Sequence, residues 1–198
     1  MLTTTTTTQL IADLHDPSNA AAWNDFDARY RPVLQRLALK LGFVGDDADE
    51  LAQQTLTEFC RAFRDGLYQR ERGRLRAWLL GIARNIALGM RRRRPAARVG
   101  GNSALDDLPA DSELTRIWEE EREREIFAQA MRRLRESTRM DENTIRAFEL
   151  YAIQGLPVAD VAEQCGLSVD MVYVVKNRLT KRLRELVQDL TSAFDEGE

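Results

Sequence analysis

Apolar residues recur at three- and four-residue steps along most of this chain, and that spacing restricts its fold to helices. One segment shows the pattern clearly, with Trp23, Phe26, Tyr30, Val33 and Leu37. No segment alternates apolar and polar residues as a half-buried strand does. The sequence therefore predicts an all-α protein.

Helix-breaking residues divide the periodic segments into two groups. Pro95 ends the third helix, and a run of Pro, Ala, Gly, Asn and Ser without periodicity follows it, which is typical of a linker. We therefore expect two helical domains, the second one a smaller helix-turn-helix module. The expected segments are a disordered Thr-rich tail over 1–17, a bundle over 18–95, a flexible linker over 96–111, the second domain over 112–190 and an acidic tail over 191–198.

Small polar residues precede most of the helical segments and can cap their free amide groups. The last helix is expected to reach about Leu190. The predicted caps or starts are Ser18, Asp46 or Asp47, Ser112, Asp141 and Ser168.

The net charge of −3 conceals a strong asymmetry. Residues 61–98 contain twelve arginines against only Asp65 and Glu71, a net charge of +10, so the rest of the chain carries −13. Such a dense basic segment is typical of a polyanion-binding surface, although a solvated arginine face is the simpler alternative. We favour nucleic acid as the partner.

The composition argues against several other classes of protein. Cys60 and Cys165 are far apart, and His15 is the only histidine, so neither a disulfide framework, a metal site nor a cofactor is expected. There is no leader-like or membrane-spanning apolar stretch, and we expect a cytoplasmic protein without membrane insertion.

The spacing near the C-terminus predicts a helix-turn-helix. Gly166 permits a tight turn after a short helix, and the next helix would bury Val169, Val172, Val175 and Leu179. Its other face would carry the contacts to DNA. The candidates for bases or backbone are Ser168, Asp170, Met171, Tyr173, Lys176 and Asn177, and those for phosphates include Arg178, Lys181 and Arg182. An ordinary αα-hairpin with a charged face is the alternative.

Three motifs occur in order in the first domain: the acidic stretch 46–54, the loop and helix start 68–79, and Ile82-Ala83-Arg84-Asn85. Together they resemble domain two of extracytoplasmic-function (ECF) sigma factors, and the helix-turn-helix falls where domain four of that family lies. The resemblance covers roughly Trp23 to Leu190. Departures from the family pattern are the order Asp49-Glu50, Gln54 in place of glutamate, and Leu75 in place of phenylalanine.

The resemblance implies a transcription initiation factor rather than an enzyme, with three groups of functional residues. Binding to core RNA polymerase is implied for Asp47, Asp49, Glu50, Gln53, Gln54 and Glu58. Promoter melting and −10 recognition are implied for Tyr68, Arg70, Arg72, Arg74, Arg76, Arg84 and Asn85. Recognition of the −35 element is implied for the exposed residues of the helix-turn-helix.

The partners implied by the resemblance are the β′ clamp helices and β flap of core RNA polymerase, promoter DNA and an anti-sigma factor. Three other classes of protein remain open from the residues alone. A repressor would bind duplex DNA unaided, a helical nuclease would need a metal cluster or a nucleophile–base pair, and an adaptor would not need the arginines of residues 70–76.

Overall fold

The computed structural model describes residues 6–69, 74–93, 108–137 and 141–194, and within them every regular element is a helix. The all-α prediction is confirmed. In chain order the helices are α1 (Thr7–Asp13), α2 (Ala20–Lys40), α3 (Asp46–Arg64), α4 (Leu75–Arg93), α5 (Asp111–Ser137), α6 (Glu142–Phe148), α7 (Val158–Cys165) and α8 (Val169–Phe194). A π-helical turn, Glu149–Ile153, continues α6.

The chain forms two compact units. The first comprises residues 1–125 and 193–198, and therefore includes α1 to α4, the first part of α5 and the end of α8. Its centre is aromatic: Phe26 stacks on Phe59 with ring centroids 4.4 Å apart, and Phe59 contacts Phe63 and the edge of Trp78. This packing holds α2, α3 and α4 together as a bundle.

The second unit comprises residues 126–192. Ala147, Val161, Ala162, Cys165 and Val172 form a buried cluster that joins α6, α7 and the start of α8. Arg135 of α5 also forms an ion pair with Glu149, with Nη2 2.6 Å from Oε1. The short helices of this unit are thus positioned by one small apolar core.

The described part of the N-terminal segment, residues 6–17, differs from the prediction of a disordered tail over 1–17, whose first five residues lie outside the described residues. Thr6 caps α1 by accepting a hydrogen bond from the Gln9 amide, and Leu10 and Leu14 are buried. The Thr7 hydroxyl is fully buried and lies 3.2 Å from the Tyr30 hydroxyl. Tertiary contacts therefore order a segment that has no helical periodicity of its own.

The helix ends differ from the predicted ones by a few residues. Asn19, not Ser18, caps α2, because its Oδ1 accepts from the Ala22 amide at 3.1 Å. Helix α5 begins at Asp111, one residue before the predicted Ser112 cap. Helix α8 continues past Leu190 to Phe194, whose burial within the first unit extends it into the predicted acidic tail. The predicted linker lies mostly outside the described residues.

The turn between α7 and α8 depends on Gly166, which has a φ of +65°. Replacing Gly166 by alanine is expected to destabilise the second unit by about 1–2 kcal/mol, because a Cβ is strained in the left-handed region. Gly166→Asn is the matched control, since asparagine tolerates this conformation better. Thermal unfolding followed by circular dichroism measures both, and an alanine variant as stable as the asparagine variant would contradict this role.

No described helix is both long and apolar enough to cross a membrane. Within the same residues no group of three or more His, Cys, Asp and Glu side chains is arranged to hold a metal ion. Both cysteines are free, and partial burial raises the pKa of the Cys60 thiol. A thiol that is mostly protonated near neutral pH is a weak nucleophile.

Candidate nucleic-acid interface

Helix α3 has one buried face and one polar face. Leu51, Thr55 and Phe59 are buried, and the side chains opposite them are the ones predicted to bind polymerase. Of these, Asp49, Glu50 and Gln53 are exposed, and Asp47, Gln54 and Glu58 are half-buried. Three acids, Asp46, Asp47 and Asp49, occupy the first turn of α3. The helix dipole stabilises negative charge there, whether or not a partner is bound.

Hydrogen bonds along α3 hold several of these polar side chains in place. Gln54 Nε2 donates to Glu50 Oε1 at 2.8 Å, and Glu58 forms an ion pair with Arg61 at 2.8 Å. Gln35 of α2 donates to Asp49 at 2.8 Å. The polar face is therefore partly preorganised for a partner that offers donors or cations.

A groove of about 570 Å³ runs between α3 and α4. Gln53, Gln54 and Glu58 line it from α3, and Asn85 lines it from α4 together with apolar side chains such as Ile86. The sequence assigned these α3 residues to polymerase and Asn85 to the −10 element. The structure places them along one groove.

The arginines predicted to contact the −10 element have different surroundings. Arg74 is exposed, whereas Arg76 and Arg84 are partly exposed and paired with acids of α5. Arg76 Nη1 bonds to Glu119 Oε1, and Arg84 Nε lies 3.6 Å from Asp111 Oδ1. Arg70 and Arg72 lie outside the described residues. The predicted −10 face is therefore partly engaged within the first unit.

Tyr68, for which the resemblance implies a role in promoter melting, packs on the aromatic cluster of the bundle. Its ring stacks on Trp78 with centroids 5.1 Å apart and on Phe63 with centroids 5.9 Å apart. Both Tyr68 and Trp78 are half-buried. A base that stacks on Tyr68 would have to use the exposed part of this ring.

Helices α7 and α8 form the predicted helix-turn-helix. Gly166 ends α7, and the Ser168 hydroxyl accepts a hydrogen bond from the Met171 amide at 3.2 Å, which caps α8 as the sequence predicted. Val172, Val175 and Leu179 are buried, but Val169 is 40% exposed, so its assignment to the core is wrong. Its place in the first turn of α8 leaves it at the edge of the apolar cluster.

The predicted −35 residues share the outer face of α8. Tyr173 lies edge-on to Tyr151 with ring centroids 5.7 Å apart, and a hydrogen bond with Tyr151 raises the pKa of its hydroxyl. Lys176 is half-buried, and Arg182 forms an ion pair with Glu185 at 3.1 Å. The exposed residues of the set are Ser168, Asp170, Met171, Tyr173, Asn177, Arg178, Lys181 and Arg182.

Residues 26–96, which extend from the first half of α2 past the end of α4, match sigma-70 region 2. This segment of the chain is therefore similar to region 2 of sigma-70 factors. This match confirms the resemblance to sigma factors over the first predicted domain.

Comparisons with curated proteins and with solved structures give two further findings. No curated protein gives a significant match to the sequence. Among solved structures, the chain is similar to CnrH, which was determined in complex with the cytosolic domain of CnrY. That likeness has 24% sequence identity, covers 91% of this chain and 96% of CnrH, and has a TM-score of 0.38.

The region 2 match contains the polar face of α3 and the predicted −10 residues, whereas the helix-turn-helix lies outside it. Sequence reasoning missed one exposed residue of that motif: Val174 is 58% exposed on the outer face of α8. Because Val172 and Val175 are buried, the residue type of Val174 does not indicate that its side chain is exposed. Only its position in the helical repeat distinguishes it.

Proposed function

We propose that this protein is a sigma factor that binds core RNA polymerase and directs promoter-specific initiation by recognising −10 and −35 elements and helping to open DNA. The region 2 match over α2 to α4 is the observation that carries the proposal. It coincides with a bundle whose α3 displays an exposed polar row and whose α4 displays Arg84 and Asn85. The protein would act in the cytoplasm as a binding factor and not as an enzyme.

In this proposal the predicted domains divide the work. Residues 18–95 would bind the β′ clamp helices through α3 and contact the −10 element through residues 67–73 and α4. Residues 112–190 would lie near the β flap and place α8 in the major groove of the −35 element, and 96–111 would link the two. The resemblance also suggests an anti-sigma factor as a regulator.

The acidic row of α3 supports the polymerase contact on physical grounds. Asp49, Glu50 and Gln53 can meet a basic surface without disturbing the buried face of the helix. Opposite charges at such a surface speed docking and fix register. Three positions on one exposed strip give a more specific contact than a single acid does.

A gel-shift experiment separates this function from that of a repressor. The protein alone should give little specific retardation of duplex promoter DNA, and adding core RNA polymerase should produce a specific, heparin-resistant complex. Specific binding to duplex DNA at equal strength with and without core enzyme would contradict the proposal and favour a repressor.

Asn177→Ala is expected to weaken binding of the reconstituted holoenzyme to its −35 element by about 1–3 kcal/mol, because an exposed asparagine on a recognition helix can form two hydrogen bonds with the major-groove edge of an adenine. Gln188→Ala is the matched control, since it truncates an exposed amide about three turns further along α8. Binding is measured by titrating promoter fragments with holoenzyme. Equal losses for both variants would exclude Asn177 from base recognition.

A further inference from the structure

We propose that the first part of α5, residues 111–125, competes with DNA for Arg76 and Arg84 in the free protein. This inference rests on the proposed function, because it takes these two arginines to be part of the −10 contact surface. It adds a device that the proposed function does not require: an acidic segment of the same chain that covers the DNA-binding arginines.

The segment has the composition of an anion that can replace a nucleic-acid strand. Residues 111–125 contain seven carboxylates and only three arginines. A helix with this excess of negative charge is attracted to the basic segment that begins at Arg61. The charge distribution of the chain therefore favours packing of residues 111–125 against this basic segment.

Apolar contacts fix the segment within the first unit. Trp118 is 1% exposed and stacks near Tyr30 of α2, with ring centroids 6.3 Å apart. Leu114 and Ile117 are also buried. The segment is therefore packed against the bundle, and its acids are held in defined positions.

Two ion pairs connect these acids to the arginines of α4. Glu119 accepts from Arg76 Nη1, and Asp111 Oδ1 lies 3.6 Å from Arg84 Nε. In each helix the paired residues are eight positions apart and run in opposite order, as expected for antiparallel helices. Together, the two ion pairs engage both of the α4 arginines that are predicted to contact the −10 element and that the structure describes as partly exposed.

Two other ion pairs strengthen the arrangement. Arg122 bonds to the second oxygen of Glu119 at 2.8 Å, so both oxygens of that carboxylate are occupied. Glu125 is buried and bonds to Arg36 of α2 at 2.9 Å. A phosphate that approached Arg76 would therefore have to displace a carboxylate that two arginines hold.

The pairs are weak enough to be exchanged. Asp111 is 87% exposed, and Arg76 and Arg84 keep about a third or more of their side-chain surface in solvent. Partly exposed ion pairs contribute little to stability, and a stronger polyanion in an assembled complex can replace them. The arrangement suits a reversible restraint.

The test compares two double variants of the full chain without core polymerase. Asp111→Asn with Glu119→Gln removes the acids that face Arg76 and Arg84, and Glu113→Gln with Glu123→Gln removes the same charge elsewhere on the same segment. Glu113 is paired with Arg116, not with α4. Binding to a short fluorescein-labelled single-stranded DNA of mixed sequence is measured by fluorescence anisotropy at low salt.

We expect Asp111→Asn with Glu119→Gln to bind this DNA about fivefold more tightly than the control double variant, because two competing ion pairs are lost. Adding Arg76→Ala and Arg84→Ala should remove that gain. Equal affinities of the two double variants would overturn the proposal, and so would a gain that survives loss of both arginines. Thermal unfolding checks that both variants fold, and Asp111→Asn alone is the milder substitute because its side chain is exposed.

Transcription by the wild-type protein with core polymerase separates failure of this inference from failure of the proposed function. If the wild type supports transcription and the two double variants bind single-stranded DNA alike, only the competition by α5 is wrong. If the wild type supports no transcription, the proposed function itself is wrong.

Discussion

Replacing Glu50 and Gln53 of α3 together by lysine is expected to lower the affinity of the protein for core RNA polymerase by about 100-fold, because like charges brought together at an interface cost several kcal/mol. Both side chains are exposed and lie opposite the buried face of α3, so the bundle keeps its packing. Affinity is measured by competition with a labelled sigma factor for purified core enzyme.

The matched control is the pair Gln188→Lys and Asp189→Lys, which changes one amide and one acid at exposed positions near the end of α8. It should leave binding to core enzyme within about twofold of the wild type, as expected for surface changes away from the contact. An equal loss in both double variants would indicate a general effect of charge and contradict a specific contact through α3.

Phe59→Ala is expected to destabilise the first unit by about 3–5 kcal/mol, the usual cost of removing a buried phenylalanine ring. Phe59 is fully buried, and its ring contacts Phe26, Phe63 and Trp78. The loss thus affects all three helices of the bundle. Such a change is a large part of the stability of a small domain.

Tryptophan fluorescence during urea unfolding measures this change selectively, because Trp23, Trp78 and Trp118 all belong to the first unit. Thr57→Ala, at an exposed position of the same helix, is the control and should change stability by no more than about 0.5 kcal/mol. A Phe59→Ala variant as stable as the Thr57→Ala variant would contradict the aromatic centre described for the bundle.

Local signals in the sequence predicted those features that a few neighbouring residues determine. Gly166 has the positive φ that its turn requires, and Ser168 caps α8. The buried positions of α3 and most of those of α8 also follow from their helical repeat. In these cases the conformation depends on residues within one or two turns, and pattern reasoning is sufficient.

Features that depend on distant residues were not predictable in this way. Helix α1 forms where a threonine run suggested disorder, because Thr7 bonds to the carbonyl of Ala193, far along the chain. Arg29 is buried against Asp25 and the same carbonyl, although an arginine in a helix is usually assigned to solvent. The contacts of Thr7 and Arg29 with the Ala193 carbonyl cannot be recognised from the helical periodicity of the neighbouring residues.

The candidate site shows the same division. The exposed rows of α3 and α8 agree with the helical repeat, whereas the pairing of Arg76 with Glu119 joins residues 43 positions apart. A charge count predicted a basic surface but not the acids that cover part of it. For Arg70 and Arg72, which lie outside the described residues, the role in promoter melting stays a prediction.

In vitro transcription with purified core RNA polymerase and a genomic promoter library tests the central claim most directly. The added protein should produce a defined set of new transcription start sites that share upstream sequence elements, and the Glu50→Lys and Gln53→Lys double variant should produce none of them. If the wild-type protein neither binds core enzyme nor yields new start sites, the assignment of this chain as a promoter-specificity factor is contradicted.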